Sequence, residues 1–353
     1  MLTLAWLAAA AVLVAALVGA TYQAAAARED ARRFPPSGRL VDVGGGCRLH
    51  ARCSGNGEPA VVLESGIAAS SMSWALVQPR VAEFTRVCSY DRAALGWSDA
   101  AGSTVTAADN AEALHAMLRA LGIPPPYVLV GHSYGNFVIR LFAARHPHEV
   151  AGMVWVDPIP PSEWATPTAD DLRRLRGAIF LSRVGALLAG VGFVRLCLKL
   201  LAGGSTAVPR RVSRLFGSEA AGVLSRIVGE VQKLPPDTWP IVRAFWSRPK
   251  CFTGMARHLA GLPASARDAD GCGGLGDMPL VVISAGRQRE ASRLEQARMT
   301  ALSSRGQQIV ARGSGHWIHL DEPEIVVSAI REIVRAARTV RQPWARSSTP
   351  TQS

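Results

Sequence analysis

An α/β fold with a mostly parallel sheet, covered by helices on both faces, is predicted from the alternation of two patterns. Six short apolar runs lie at residues 60–63, 86–90, 127–130, 153–156, 280–284 and 307–311. Stretches with helical hydrophobic spacing lie between most of them, at about residues 73–82, 107–121, 134–146, 292–303 and 323–338. Strands that alternate with helices pair in parallel and are buried on both sides.

The start of the main domain has a different pattern. Residues 40–43 and 47–53 are two strand-like segments separated by three glycines, and a turn signal follows at residues 54–57. We therefore expect a hairpin that adds antiparallel strands at one edge of the sheet.

The 353 residues are expected to form one large domain with flanking segments, and 48% hydrophobic residues are enough for a sizeable core. The domain is predicted to span residues 39–338. Residues 28–38, which contain Pro35 and Pro36, are predicted to be a linker. Residues 339–353 are polar and are expected to be a disordered tail.

The alternation is interrupted between residues 158 and 278, where several helical patterns occur without a clear strand pattern. We interpret this segment as a helical cap, or lid, inserted into the sheet order. Residues 178–201 are apolar apart from three cations, which suits packing onto a core and also suits contact with a membrane.

The N-terminal segment, residues 1–27, carries no charged side chain and is long enough to cross a bilayer. We predict a single-pass membrane anchor. A cleaved signal peptide, with small residues at 24–26 and a secreted product, is one alternative, and a buried helix is another. Arg28, Arg32 and Arg33 follow the segment and would favour a cytoplasmic domain, but the orientation stays open.

The formal net charge of +12 raises the question of an anionic partner. The basic residues are scattered, without a run of five and without interleaved aromatic residues. Nucleic acid is therefore not expected to be a partner. A membrane surface is the anionic partner that we prefer.

The six cysteines form no C-x-x-C motif and no cluster with histidine, so no metal site is predicted. Cys88 lies in an apolar run and is interpreted as a small buried hydrophobic residue. Cys251 and Cys272 flank a loop-rich stretch and could pair in an exported protein, which the sequence does not decide.

The sequence Gly-His-Ser-Tyr-Gly at residues 131–135 lies directly between an apolar run and a helical pattern. In that context G-x-S-x-G predicts a nucleophile elbow, a tight strand-to-helix turn that exposes a strained serine. Ser133 is therefore the candidate nucleophile. The alternative is an ordinary glycine-rich turn with a solvent-exposed serine.

A serine hydroxyl needs a general base, and a histidine after the last strand is the expected one. His316 follows the small residues 313–315, just past the last apolar run. His319 is its rival, but is interpreted as part of the turn into the next helix. The Tyr134 amide is the first expected oxyanion donor. The Ile67 amide, in the loop after residues 60–63, is the second.

These pieces together resemble the α/β-hydrolase superfamily, in its serine esterase and lipase-like branch. The resemblance covers about residues 40–338 and includes Tyr90-Asp91-Arg92, Val156-Asp157-Pro158 and Gly315-His316. It implies hydrolysis of an acyl bond without a metal or organic cofactor. Relatives that act on epoxides or carbon–halogen bonds have an aspartate where this chain has Ser133.

The acid of the triad has two candidates. In most of the superfamily it follows the next-to-last strand, where this chain has only Glu290, beside charged residues. Some relatives, such as pancreatic-type lipases, have it one strand earlier in a similar Asp-Pro setting. We therefore predict Asp157 as the acid and keep Glu290 as the alternative.

The predicted function is cleavage of a carboxylic ester through a Ser-His-acid triad and an acyl-enzyme. The apolar insertion suggests an apolar small-molecule substrate. Two alternatives stay open: an acyltransferase with the same residues, and a membrane-tethered binding protein of the same fold without turnover.

Overall fold

The computed structural model describes residues 2–100, 105–203, 229 and 231–345. Eight strands form one sheet, in the order β1-β2-β4-β3-β5-β6-β7-β8. They are β1 (Arg39–Asp42), β2 (Arg48–Ser54), β3 (Ala60–Glu64), β4 (Val87–Tyr90), β5 (Tyr127–His132), β6 (Val150–Val156), β7 (Leu280–Ala285) and β8 (Gly306–Ala311).

The predicted mixture of strand directions is confirmed. Strands β4, β3, β5, β6, β7 and β8 are parallel to one another. The hairpin of β1 and β2 is antiparallel and joins the sheet through an antiparallel pairing of β2 with β4. The carboxyl ends of β3, β5, β6 and β7 therefore meet at one edge of the sheet, where ligand sites of open α/β sheets form.

Both faces of the sheet are buried, and successive residues of each central strand enter different cores. In β3, Ala60 and Val62 belong to one core cluster, whereas Val61 and Leu63 belong to the other. This alternation follows from the two-residue period of a strand. It explains why the strand sequences are continuously apolar.

Helices lie at each of the predicted helical patterns, although α2 (Gln78–Ala82) is shorter and α12 (Pro323–Ala345) is longer than its pattern. Residues of α3 (Ala107–Ala120) and α4 (Gly135–Arg145) pack in the first core, and residues of α2 and α12 pack in the second. Two further helices follow β7 and β8: α10 (Glu290–Met299) and the short α11 (Ile318–Asp321).

The described part of the chain between β6 and β7 is helical and contains no strand. It holds α5 (Ser162–Ala165), α6 (Ala169–Gly190), α7 (Phe193–Ala202), α8 (Trp239–Trp246) and α9 (Pro249–Asp270). Helix α9 contacts α6 and also the core helices α3 and α4. We call the described part of the chain between β6 and β7, which includes these five helices, the cap.

Two predicted boundaries were wrong. Helix α1 spans Leu2–Arg33, so six residues of the predicted linker are helical. The ion pair of Asp30 with Arg195, at 2.7 Å, holds this charged end against the cap. Helix α12 continues to Ala345, into the segment expected to be disordered. Its Arg338 donates to the Glu58 and Phe84 carbonyls, and residues 346–353 lie outside the described residues.

The interpretation of Cys88 as a plain hydrophobic residue was also wrong. Cys88 is buried, but it forms a disulfide with Cys53 between the paired strands β2 and β4. Cys251 and Cys272, which could have paired, are both free thiols. The pairing of β2 with β4 makes the bond possible, because Cys53 and Cys88 are direct neighbours across the two strands.

Candidate active site

Ser133 lies between β5 and α4 with a φ of +53°, in the left-handed region that L-residues avoid. Its amide donates to the Val156 carbonyl at 3.0 Å. A side chain on Gly131 would approach Asn136 within 2.9 Å, and one on Gly135 would approach the Glu64 carbonyl oxygen at 2.7 Å. The turn therefore requires both glycines, as expected for a nucleophile elbow.

Asn136 contributes to this turn. Its side-chain amide donates to the Ser133 carbonyl at 3.0 Å and is 3.5 Å from the Val156 carbonyl. The same residue thus links the strained turn to the end of β6.

Asp157 follows β6 directly and, like Ser133, has a left-handed backbone, with a φ of +42°. Its amide donates to the Ile283 carbonyl of β7 at 2.7 Å. The turn directs its carboxylate towards His316, and Oδ2 accepts from Nδ1 of that imidazole at 2.6 Å. Two residues 159 positions apart are therefore in direct contact at the carboxyl edge of the sheet.

The second carboxylate oxygen of Asp157 also accepts hydrogen bonds. Oδ1 accepts from the Ala285 amide at 3.2 Å and from the Gln296 side chain at 3.0 Å. Burial alone would raise the pKa of Asp157, but the hydrogen bonds from His316, Gln296 and Ala285 outweigh it and hold the pKa below its usual value. The carboxylate stays ionised and can stabilise a positive imidazole.

Gln296 is a residue that sequence reasoning missed. It is buried on α10, donates also to the Pro158 carbonyl at 2.9 Å, and is itself oriented by Gln288 at 2.8 Å. The charged sequence of α10 contains no signal for this role. Only the position of Asp157 in three dimensions reveals it.

The two alternatives considered for the site lie elsewhere. Glu290 begins α10 and is exposed to solvent. His319 is completely buried beside Trp74 and His132, with ring centroids 4.7 and 4.4 Å away. Burial, together with the nearby His316, lowers the pKa of His319 to about 3. His319 is therefore a neutral packing residue, whereas His316 is half exposed towards a cavity.

His132, inside the elbow motif, was also missed as a site residue. Its Nε2 lies 2.9 Å from the His316 carbonyl oxygen, and the two rings are 4.7 Å apart. Burial and the neighbouring histidines hold the pKa of His132 well below its usual value, so its ring is neutral. A neutral Nε2–H can donate to that carbonyl and fix the backbone of His316.

Of the two predicted oxyanion donors, Ile67 is half-buried and lines the same cavity. Tyr134 is buried and follows Ser133 at the start of α4. Within the described chain, neither backbone amide donates to a protein acceptor. Both amides are therefore available to an oxygen of a ligand.

A buried ion pair supports the loop that carries Ile67. Arg92 is 2% exposed, pairs with the Glu64 carboxylate, and donates to the Ser65 and Gly66 carbonyls at 2.6 Å each. Tyr90 donates to the same carboxylate. The guanidinium thus fixes the two carbonyls that precede Ile67.

The buried carboxylate of Asp91 stabilises the loop from Asp91 to Asp99. Asp91 is buried and accepts from the Ser71 and Trp97 amides at 2.6 and 3.0 Å. His50 lies 3.0 Å from the same carboxylate. Burial would raise the pKa of Asp91, but His50 and the amides hold it below its usual value.

A cavity of about 260 Å³ contains Ser133 and His316. Its core side is lined by residues 66–70, Met72, Trp317 and Leu320, and its cap side by Val231, Leu234, Val242 and Trp246. Most of this lining is apolar. The cavity therefore fits an apolar group next to the serine and histidine.

A separate group of His115, His146 and Glu149 has its ligand atoms within 4.8 Å of one another. The two imidazoles are stacked, with centroids 3.9 Å apart and planes 18° apart. A metal ion must lie in the plane of each imidazole that binds it. This stacked arrangement does not direct both rings at one ion.

The comparisons with known proteins agree with this fold. A family model for the alpha/beta hydrolase fold matches residues 59–323. The chain therefore belongs to the α/β-hydrolase superfamily.

Individual relatives are distant. The uncharacterized protein YqjL of Bacillus subtilis is 32% identical over 114 residues, which cover 32% of this chain and 45% of YqjL. An uncharacterized protein of Schizosaccharomyces pombe is 29% identical over 73% of this chain and 43% of its own length. The chain thus spans less than half of each of these relatives.

Solved structures share the fold at low identity. A thermophilic esterase from Thermogutta terrifontis has a TM-score of 0.59 and 19% identity, and the match covers 84% of this chain and 97% of the esterase. A putative epoxide hydrolase from Pseudomonas aeruginosa has a TM-score of 0.63 and 19% identity, with 86% of this chain and 98% of that one covered.

The buried pair under the oxyanion loop leads to the first prediction. Arg92→Met leaves the Glu64 carboxylate buried without a cation, so the free energy of unfolding should fall by about 3–5 kcal/mol. The double variant Glu64→Gln/Arg92→Met should lose less, because no buried charge remains. Urea unfolding measures both.

Arg48→Met is the matched control, since it breaks an exposed pair with Asp99 and should cost less than about 1 kcal/mol. An Arg92→Met variant as stable as Arg48→Met would contradict the role given to Arg92.

Proposed function

We propose that this protein is a serine hydrolase that cleaves an apolar acyl ester through Ser133, His316 and Asp157. The observation that carries the proposal is the 2.6 Å contact of Asp157 with His316 beside the cavity that Ser133 lines. A carboxylate that holds an imidazole, next to a serine in a strained turn, is the constellation of acyl transfer.

The mechanism follows from these roles. The Ser133 hydroxyl attacks the ester carbonyl while Nε2 of His316 takes its proton. Asp157 accepts the hydrogen bond from Nδ1, which fixes the tautomer and stabilises the imidazolium. His316 then protonates the leaving alcohol, and an acyl group stays on Ser133. A water molecule, deprotonated by His316, releases the acid and restores the serine.

The oxyanion of each tetrahedral intermediate is held by the amides of Ile67 and Tyr134. Support comes from their lack of a protein acceptor in the part of the chain that the structure describes. A single donor of this kind typically contributes on the order of 10²–10³ in rate. Because Arg92 holds the carbonyls before Ile67, it is a positioning residue for this donor.

The cavity lining supports an apolar acyl or alcohol group in the substrate. Met72, Val242 and Leu320 offer no hydrogen bonds, so a polar group there would lose its hydration without compensation. A serine nucleophile favours esters over epoxides and carbon–halogen bonds, for which the resembling enzymes use an aspartate.

We also propose that α1 anchors the protein in a membrane, with the hydrolase domain in an oxidising compartment. Residues 3–33 are long and apolar enough to span a bilayer, and a signal sequence has the same properties. The Cys53–Cys88 disulfide supports the oxidising side, since such bonds are rare in the cytosol. This side is opposite to that favoured by Arg28, Arg32 and Arg33.

The second prediction concerns the reaction. Ser133→Ala should lower the hydrolysis of p-nitrophenyl esters by about 10⁶ and abolish labelling by a fluorophosphonate. Asp157→Asn should lower kcat by up to about 10⁴, because the imidazole loses its partner. Glu290→Gln, an exposed carboxylate on α10, is the matched control and should keep full activity.

An active Asp157→Asn variant together with an inactive Glu290→Gln variant would move the acid to Glu290. Labelling that persists in Ser133→Ala would refute the nucleophile. A labelled wild type without hydrolysis, but with transfer to added alcohols, would indicate an acyltransferase. A wild type that is not labelled would indicate a binding protein.

The third prediction concerns the anchor. The full chain should stay in membranes after carbonate washing, whereas a variant without residues 2–17 should become soluble, because those residues carry the apolar span. The truncation keeps the contacts of Gln23 and Asp30 with the cap. Equal solubility would contradict the anchor, and a mature N-terminus near Ala26 would reveal a cleaved signal peptide.

The same preparation tests the compartment. Denatured protein should react with a maleimide at the four free cysteines and, after reduction, at all six. Six reactive thiols before reduction would show that the domain lies in a reducing compartment.

A further inference from the structure

The cap has a sharp corner where α6 and α7 meet. The two helices are bent by 89° at a break of two residues, Val191 and Gly192. Leu187 is 74% exposed at the end of α6, and Phe193, Leu196 and Leu200 are about half exposed on α7. We call residues 187–200 the cap corner.

The exposed apolar residues of α7 lie on one side of the helix. Residues 193, 196 and 200 follow the spacing i, i+3 and i+7, which defines a single face. Arg195 points to the other side, where it contacts Asp30 at 2.7 Å and Gln23 at 2.8 Å. Arg195 thus binds α1, Lys199 is exposed, and the apolar face of α7 is also exposed.

Helix α1 leaves the body of the protein at this same corner. A side chain on Gly19 would lie 2.2 Å from the Val191 carbonyl oxygen, so the two backbones touch. After Gly19, the helix is fixed to the cap by Gln23, which donates to the Ser247 carbonyl at 2.8 Å. Before Gly19, residues 3–18 are apolar and almost entirely exposed.

The exposed side chains of α6 are charged in its first half and mostly apolar further along. Arg174 and Arg176 are exposed in the first half, where Arg173 pairs with Asp170. Phe180, Leu181 and Leu187 are exposed further along, with the exposed Arg183 between them. The helix rises about 1.5 Å per residue, so its charged half and its more apolar half lie at different depths if the corner points to a bilayer. Cations at the headgroups and apolar residues below them are typical of interfacial helices.

We infer that the cap corner inserts into the same bilayer that α1 crosses. The inference rests on the proposed membrane anchor, because the contact of Gly19 with Val191 brings the corner to the level at which α1 enters the lipid. The occupant of the exposed apolar face of α7 is therefore lipid, and the exposed Lys199 lies among the headgroups.

The inserted corner is connected to the cavity. Helix α8 contacts both α1 and α7, and its Trp246 lines the cavity that contains Ser133. Trp246 packs edge-on against Phe252 at 5.9 Å, and Phe252 lies against Gly185 of α6. The cap side of the cavity is therefore in contact, through α8 and Phe252, with α1, α6 and α7, the helices at the membrane. From this connection we infer that the substrate is an ester dissolved in the bilayer.

The closing experiment maps lipid contacts on the full chain. The protein is reconstituted in vesicles of phosphatidylcholine and phosphatidylglycerol that contain a phosphatidylcholine with a diazirine in its acyl chain. After illumination, labelled peptides are identified by mass spectrometry. Peptides from residues 3–18 serve as the positive control, and the peptide with Leu294, which is 54% exposed on α10, serves as the aqueous control.

We expect the cap corner to be labelled at least about tenfold more than the Leu294 peptide, because apolar side chains that leave water enter the acyl region. Labelled residues 3–18 with an unlabelled corner would overturn the inference and leave the anchor intact. An unlabelled α1 would overturn the anchor and the inference together. Cross-links from the corner to a second copy of the chain would also overturn it.

A second measurement separates this inference from the hydrolase proposal. Leu187→Glu/Phe193→Glu should lower the hydrolysis of a long-chain ester held in vesicles by roughly tenfold and leave a short soluble ester unchanged. Leu294→Glu is the matched control and should change neither. Equal loss on both esters, or loss on neither, would overturn the inference, whereas a wild type inactive on both would refute the hydrolase proposal alone.

Discussion

The geometry of the site depends on two left-handed residues at the ends of neighbouring strands. Ser133 and Asp157 have φ values of +53° and +42°. The Ser133 amide donates a hydrogen bond to the carbonyl of Val156, the residue before Asp157. Such backbones cost about 1–3 kcal/mol each and persist only where the surroundings hold them. Here the glycines beside Ser133, the Asn136 side chain and the Ile283 carbonyl hold them. At this edge of the sheet Asp157 contacts His316, and Ser133 and His316 line the same cavity.

The parts of this site that could be predicted from the sequence are those encoded by local patterns. The elbow depends on small residues close to Ser133, and these glycines lie within the five consecutive residues 131–135. The alternation of apolar runs and helices predicts a parallel sheet. In such a sheet the carboxyl ends of the strands lie at one edge, whatever the order of the strands in the sheet. His316 could be proposed because it follows the last strand. Asp157 could be proposed only against Glu290, since several strand ends reach the same edge.

The parts that could not be predicted pair residues that are distant in sequence. Cys53 and Cys88 are 35 positions apart, and their bond depends on the register of two strands that the sequence does not reveal. Gln296 reaches Asp157 from a helix with a charged, exposed sequence. The helical ends at residues 28–33 and 339–345 look like linker and tail. In α1 the charged end is nevertheless held by Asp30, through its contact with the cap. Tertiary contacts of this kind override local propensity.

In the proposed mechanism, Ser133 carries the acyl group between the two halves of the reaction. Rapid quenching of the protein with an excess of a p-nitrophenyl ester, followed by peptide mass spectrometry, detects this intermediate. We expect one acyl group per chain on the peptide that contains Ser133, and no acylated peptide in Ser133→Ala or, on the same time scale, in His316→Gln, in which the base that activates Ser133 is missing. An acyl group on another residue, or ester turnover without any acylated peptide, would contradict this role of Ser133.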